Sequence, residues 1–260
     1  MKQSAFTAQE LFCMAYLMRK PKMFGIPNVM GKEPEKTLQS VIDNLITQQI
    51  AAMDMDGRVS LCEEYRALVD AISDCKKCLT INVQRENRNT QNMIFWLYNG
   101  QGMMAEVIGE RYIFSAADEV MVRALVDGVL DSNACNKQVA DTVIPHIQMV
   151  KAKRHCQNGE LEAAIRLLRQ NGADDEIACV LVDGLLEKAN YLGALLMDMR
   201  SGECVKTKKA YLSSGGVLLT LNETVINLRS CIAFSGITTD DMRCEMKALV
   251  DSFLERGEAV

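Results

Sequence analysis

Two stretches of this chain alternate apolar and polar residues in the same order, and each is followed by a helical pattern. In the first, Leu79-Thr80-Ile81-Asn82-Val83-Gln84 alternates at the two-residue period of a half-buried strand. Residues 91–98 are apolar on both faces, with Met93, Phe95 and Leu97 on one and Ile94, Trp96 and Tyr98 on the other. Asn99-Gly100-Gln101-Gly102 predicts a hairpin turn, because Asn and Gly accept the positive φ that a tight turn needs. Residues 103–108 return, Gly109-Glu110 turns again, and 111–114 form a short fourth strand. Ser115 with Asp118 reads as a capping box opening a helix whose stripe is Met121, Leu125, Val129 and Leu130.

The second stretch repeats this order with different residues. Strands are predicted over 192–199, 203–209 (more basic), 217–221 and 225–230, with turns at Ser201-Gly202, Gly215-Gly216 and Asn222-Glu223. Thr238 and Asp241 cap a last helix with the stripe Met242, Met246, Leu249, Val250 and Phe253. The period is far too long for a solenoid, so the pattern is an internal duplication of an α+β unit. The expected organisation is one composite domain of two pseudo-symmetric halves, 1–132 and 133–260, each made of helices, an antiparallel meander and a closing helix.

The segments before each meander are read as helical. Thr7 and Glu10 form a capping box ahead of a helix over 8–18, with Leu11, Phe12, Ala15 and Met18 on its buried side, and Lys20-Pro21 ends it. After a loop with Gly25, Pro27 and Gly31, Pro34 opens a helix reaching residue 49. Asp56-Gly57 predicts a hairpin between 50–55 and 58–61, and Ser60 with Glu63 caps a helix over 63–75. This order of helix, helix and hairpin resembles a winged-helix module. Residues 133–189 read as helical throughout: 135–157 as a helix kinked at Pro145, then helices over 159–170 and 174–188.

Composition narrows the function classes. A length of 260 residues, 48% hydrophobic and 24% charged, describes a globular chain with a substantial core. The net charge of −5 argues against nucleic acid or an anionic membrane as the main partner. Residues 1–9 carry no apolar leader, and no uncharged run approaches the ~20 residues of a membrane span. These features predict a cytoplasmic protein without membrane insertion. Ten scattered cysteines then read as reduced, mostly buried thiols, and sixteen methionines as a pliable core or an adaptable binding surface.

Candidate chemistry is sparse. Cys75-Lys76-Lys77-Cys78 is the one CxxC, but no second ligand pair stands at zinc-site spacing, and it ends a helix where a redox motif would open one. Ser213-Ser214-Gly215-Gly216 lacks the following Lys-Ser/Thr of a phosphate cradle and reads as a turn. His146 and His155 belong to no triad or HExxH pattern. No catalytic residue, cofactor or metal is expected. A winged-helix DNA reader would need clustered Lys and Arg, yet the helix over 35–49 and the wing over 54–58 carry Glu35, Asp43, Asp54 and Asp56. The face of Ile94, Trp96 and Tyr98 must be covered by the second half of the chain or by a partner; core packing is the commoner fate of such a face.

The opening Phe6-Thr7-Ala8-Gln9-Glu10-Leu11, the segment Phe24-Gly25-Ile26-Pro27, the helix ending before Ile50, and Met53-Asp54-Met55-Asp56-Gly57-Arg58-Val59 resemble the start of EspG-like proteins. The strands and closing helix up to Leu130, and their second copy, are similar to that family's pseudo-two-fold layout. The resemblance implies a cytosolic, non-enzymatic chaperone of type VII (ESX) secretion that keeps a helical secreted client soluble. In mycobacteria such clients are PE–PPE proteins. This chain, rich in Lys, Met, Asn and Cys, looks more like a Firmicutes relative, for which WXG- or LXG-type helical hairpins are the implied clients. Carried over, the client surface points to Trp96, Tyr98, Met103 and Met104 around the 99–102 turn, and to Met242 and Met246. A homodimer is compatible with this reading, and a winged-helix-derived transcriptional regulator is the alternative.

Overall fold

The computed structural model describes residues 5–20, 22–27, 34–86, 90–130, 135, 137, 139–200 and 203–255. The first half runs β1 (Ala5–Thr7), α1 (Ala8–Leu17), α2 (Pro34–Thr47), the hairpin β2 (Ala51–Met53) and β3 (Val59–Leu61), and α3 (Glu63–Ser73). Its meander is β4 (Lys77–Gln84), β5 (Gln91–Tyr98), β6 (Gln101–Ile108) and β7 (Arg111–Ala116), closed by α4 (Glu119–Leu130). The second half runs β8 (Thr142–Pro145), α5 (His146–Gln157), α6 (Leu161–Gln170) and α7 (Asp175–Leu185). Its meander is β9 (Asn190–Arg200), β10 (Glu203–Ser214), β11 (Val217–Ile226) and β12 (Arg229–Gly236), closed by α8 (Thr239–Leu254).

Both meanders belong to one ten-stranded sheet in the order β1-β7-β6-β5-β4-β9-β10-β11-β12-β8. The order is a palindrome about the β4–β9 pair. Each meander runs outward from a central strand, and the strand that opens each half returns to its own rim. The duplication read from the sequence is therefore a pseudo-two-fold α+β architecture, and β2 with β3 stands apart as a second, two-stranded sheet.

Alternation along the strands assigns the helices to faces. Leu79, Ile81 and Val83 of β4, Met93 and Phe95 of β5, and Leu192, Ala194 and Leu196 of β9 are buried with the α8 residues Met242, Met246, Leu249, Val250 and Phe253, and α4 joins this layer through Val122, Val126 and Leu130. On the opposite face, Cys78, Ile94 and Trp96 pack beneath α1, α2 and α3. At the other end of that same face, Leu212, Leu219, Phe234 and Ile144 pack beneath α5, α6 and α7. The Trp96 face is thus covered by the helices of its own half. Trp96 is fully buried and stacks on Phe114 at 5.7 Å, and its Nε1 donates to the Phe24 carbonyl at 2.8 Å.

Several local features follow the sequence closely. Glu10 N donates to Thr7 Oγ1 at 3.2 Å while Thr7 N donates to Glu10 Oε2 at 2.8 Å, a complete capping box. Thr238 caps α8 through the amide of Asp241, and Asp174 caps α7 through that of Ile177.

Other expectations are corrected. The start of the 135–157 helix is instead the strand β8, in which Thr142 and Ile144 are buried and Val143 is exposed; Pro145 stands at the N-cap of α5 rather than inside a helix. Asn222-Glu223 lies within β11, and the turn sits at Asn227 and Leu228, both at positive φ, so the strand predicted over 225–230 is the end of one strand and the start of the next. Ser115 belongs to β7, and Asp118 alone caps α4 by accepting from Met121 N at 2.7 Å. The buried stripe of α4 is Val122, Val126 and Leu130, with Met121, Leu125 and Val129 partly buried. Ser60 belongs to β3, and Cys62 precedes α3 without a side-chain cap. The turn at Ser201-Gly202, the loop residues Pro21 and Gly31, and the boundary at 132/133 lie outside the described residues.

The Phe24–Trp96 contact requires Gly25. It adopts φ +77°, and a Cβ there would stand 2.8 Å from Ile94 Cγ2 and 3.0 Å from Cys78 Sγ. Two substitutions test this joint by urea denaturation followed by circular dichroism. Gly25→Ala is expected to cost about 1–3 kcal/mol through strain and overpacking. Trp96→Phe is expected to cost a similar ~1–3 kcal/mol, because the Phe24 carbonyl loses its donor and the smaller ring leaves a void.

Candidate partner-binding surface

The two helix groups leave the middle of one sheet face uncovered. Along β4 and β9 the pairs Thr80↔Leu195 and Asn82↔Gly193 share the face that α1–α3 and α5–α7 cover at its two ends. These residues belong to neither helical core, and Asn82 is exposed. The result is a saddle between two helical shoulders, with Thr80, Asn82, Gly193 and Leu195 as its floor. Gly193 keeps the floor low: Tyr191 lies across it, so that a Cβ at Gly193 would stand 2.5 Å from the Tyr191 hydroxyl.

One end of the sheet carries exposed apolar side chains. The Asn99-Gly100 turn, the Arg200↔Glu203 end of the β9–β10 ladder and the Asn227-Leu228 turn all lie at this end, since Lys77 pairs with both Leu97 and Asp198. At the second-half corner, Leu228 is 99% exposed and Val225 69%. Pro145 opposite Cys231 brings the first turn of α5 beside them, with Ile147 and Val150 exposed. His146 is near enough for its charge to bear on Glu223, which is held below the usual carboxylate range chiefly by the Lys208 hydrogen bond. Sequence reading missed this corner because it placed the turn at Asn222-Glu223; the signal available was Asn227, a residue tolerant of positive φ, beside an isolated leucine.

The residues singled out from the sequence fall into two groups. Tyr98, Met103 and Met104 flank the 99–100 turn and are half-buried, with Met103 packed on the α1–α3 core and Met104 on the α4–α8 core. Trp96, Met242 and Met246 are buried, Trp96 under the first helix group and the two methionines beneath α8 on the opposite face. The structure therefore does not bring the six together on one surface. In this conformation only Tyr98, Met103 and Met104 offer atoms to a partner.

The thiols and histidines make no reactive constellation. Burial pushes Cys75 up to about 12 and Cys78 well above its ordinary value, so both stand as thiols at neutral pH. His155 Nδ1 pairs with Glu160 at 2.5 Å on the exposed side of α5. Among the described residues no group of three His, Cys, Asp or Glu is placed to hold a metal, and no helix is long and apolar enough to cross a membrane.

Behind the saddle, Lys209 and the Tyr211 hydroxyl both donate to Glu245 Oε2, at 2.8 and 2.7 Å, tying β10 to α8. Burial would raise Glu245, but the hydrogen bonds from Lys209 and Tyr211 and the lysine charge outweigh it and hold the carboxyl below its ordinary range.

No family model matches the chain, and no curated protein matches it in sequence. Among solved structures it is similar to the Mycobacterium tuberculosis type VII secretion system chaperone EspG5, solved in complex with a PE25–PPE41 dimer. The likeness covers 98% of each chain at a TM-score of 0.54 and 14% identity, and is a likeness of fold.

Two measurements check the chemistry of this region. Alkylation of the native protein, read by mass spectrometry, is expected to label the exposed Cys179, Cys204 and Cys244 and to spare Cys75 and Cys78 until denaturant is added. The Glu245 contribution is present above the carboxylate's unfolded pKa and lost as pH falls through its lower folded value. The urea midpoint of Glu245→Gln should therefore lie below that of the parent at pH 7, and the gap should narrow below about pH 4.

Proposed function

We propose that this chain is a non-enzymatic cytoplasmic chaperone or adaptor of type VII secretion, holding a helical-hairpin client of the WXG, LXG or PE–PPE kind in a soluble, export-competent form. The observation that carries this reading is the fold likeness to a secretion chaperone along 98% of both chains. The surface supports it physically. A helix is about 10–12 Å across with its side chains, and the open face between the two helical shoulders presents side chains to such a body rather than a closed pocket. The exposed Ile147, Val150, Val225 and Leu228 at one end can cover the apolar tip of a helix pair, while Tyr98, Met103 and Met104 supply adaptable contacts along the same end of the sheet.

The regulator alternative draws no support from the β2–β3 tip. Asp54 Oδ1 accepts from the amides of Asp56 and Arg58 at 2.9 and 2.8 Å, which fixes an acidic turn where a DNA wing needs positive charge.

The test is affinity capture of the tagged chain from its native cytosol, beside a Leu228→Asp/Ile147→Asp double variant. The parent is expected to hold a small helical secreted protein in stoichiometric amount. The double variant should fold normally by circular dichroism and retain the client at least about tenfold more weakly, as expected for charge placed in an apolar contact. Recovery of DNA, or of no stoichiometric partner, overturns the chaperone reading. Capture unaffected by the double variant moves the contact away from this corner.

A further inference from the structure

We propose that the cleft between β10 and β11 is a strand-acceptor site that takes an extended, acidic segment of a partner protein. The ladder joining these strands runs only from Ser214↔Val217 to Tyr211↔Thr220. Both strands continue well beyond it. β10 stays paired with β9 out to Glu203↔Arg200, and β11 with β12 out to Ile226↔Arg229. Each arm is thus held in strand conformation from its far side, while the facing edges, 203–210 and 221–226, have no ladder between them. Such edges carry main-chain donors and acceptors ready to pair with an incoming strand.

Alternation along the two arms defines what would fit. On the face toward α8 stand Val205, Thr207, Thr224 and Ile226, with Val205 46% and Ile226 44% exposed. These are strand-forming residues, and they favour β-branched neighbours in the row between them. On the opposite face stand Lys206 and Lys208 against Glu223, with Val225 beyond. Lys208 Nζ reaches Glu223 at 2.6 Å across the cleft, and both side chains are largely solvated. Lys209 points the other way and is committed to Glu245. The cleft face therefore holds two lysines for one carboxylate, with Glu203 at its mouth on the other face. A segment alternating β-branched with acidic residues matches both rows: its carboxylates meet Lys206 and Lys208, and its apolar side chains fill the gap between Val205 and Ile226. This inference rests on the sheet alone and is independent of the helical client.

The test uses the full chain and three fluorescein-labelled eight-residue peptides, read by anisotropy: one alternating Val and Asp, the same peptide N-methylated at alternate amides, and one alternating Val and Lys. The Val/Asp peptide is expected to bind saturably, with the other two at least about tenfold weaker, since they lose main-chain pairing and charge complementarity respectively. Hydrogen exchange should slow at 203–210 and 221–226 when the Val/Asp peptide is bound. Lys206→Glu/Lys208→Glu should reverse the preference toward the Val/Lys peptide, while Lys206→Arg/Lys208→Arg keeps the parental order and controls for folding. Absence of saturable Val/Asp binding, equal binding of the N-methylated peptide, or protection elsewhere would show that the lysines merely guard an open edge against pairing, and the proposal fails.

Discussion

The β4–β9 ladder is the joint on which this molecule depends. It pairs Lys77 with Asp198 at one end and Gln84 with Tyr191 at the other, and it is the seam where the two meanders become one sheet. On one face, Leu79↔Leu196, Ile81↔Ala194 and Val83↔Leu192 are stacked and buried beneath α8, so the hydrogen bonds of the seam are shielded on that side. Thr80 Oγ1 adds a hydrogen bond to the Leu195 carbonyl at 3.2 Å. Lys77, although buried, is satisfied by main-chain carbonyls: its Nζ donates to Ser252 O and, at 2.9 Å, to Glu255 O. A cation placed on the last carbonyls of α8 is favoured by the helix dipole. The same lysine thereby fastens the closing helix of the second half to the first strand of the first meander.

This seam joins residues more than about a hundred positions apart, and its closure entropy must be met before the contacts form. Within each meander the hairpin pairings are local, although the rim pairs β1–β7 and β8–β12 are not, and each helix group has its own core, whereas the layer between α4, α8 and the central strands draws on both halves. The physical order implied is local meanders first and seam last. The saddle is a consequence of the same seam. Two half-units that each place three helices on one face of their own strands, when joined edge to edge, leave the middle of the seam outside both helical cores on that face. Thr80 and Asn82 supply the polar part of that strip, beside the half-buried Leu195.

That strip was written in the sequence as the alternation from Leu79 to Gln84, the clearest half-buried strand in the chain. The duplication, the hairpin at Asn99-Gly100 and the stripe of α8 were equally legible, because each rests on a local period or a cap. What escaped was non-local. β1 and β8 are short, and their strand character depends on pairing with β7 and β12, which no local pattern announces. Trp96, Met242 and Met246 entered as partner-binding candidates through the family resemblance, and the pattern could not decide it, because apolar residues read the same whether a partner or a distant helix covers them. Here α1–α3 cover the first, and the central strands cover the other two. Conversely, the exposed corner at Leu228 and Ile147 was hidden by a turn placed five residues early in a strand whose Asn222-Glu223 imitates a turn signal.

The divergence of β10 from β11 has a cause in packing. The paired stretch contains Tyr211, Leu212, Val217, Leu218 and Leu219, all buried. Leu212 is pressed by α7, whose Gly184 admits it so closely that a Cβ there would stand 2.8 Å from Leu212 Cδ2. Tyr211 is held on the other side by Glu245 of α8. The ladder is thus clamped on both faces. Beyond Tyr211 and Thr220 the arms pass out of both cores: residues 203–208 are all exposed, and across the gap only Leu221 still reaches the α5–α7 core. Sheet twist separates strands that nothing clamps. The residues that would face each other if the ladder continued are nonetheless strand formers and opposite charges: Thr207 with Thr224, Val205 with Ile226, and Lys208 with Glu223. The arms keep the chemistry of a sheet without the packing that closes one, so the row left vacant between them is filled at small conformational cost.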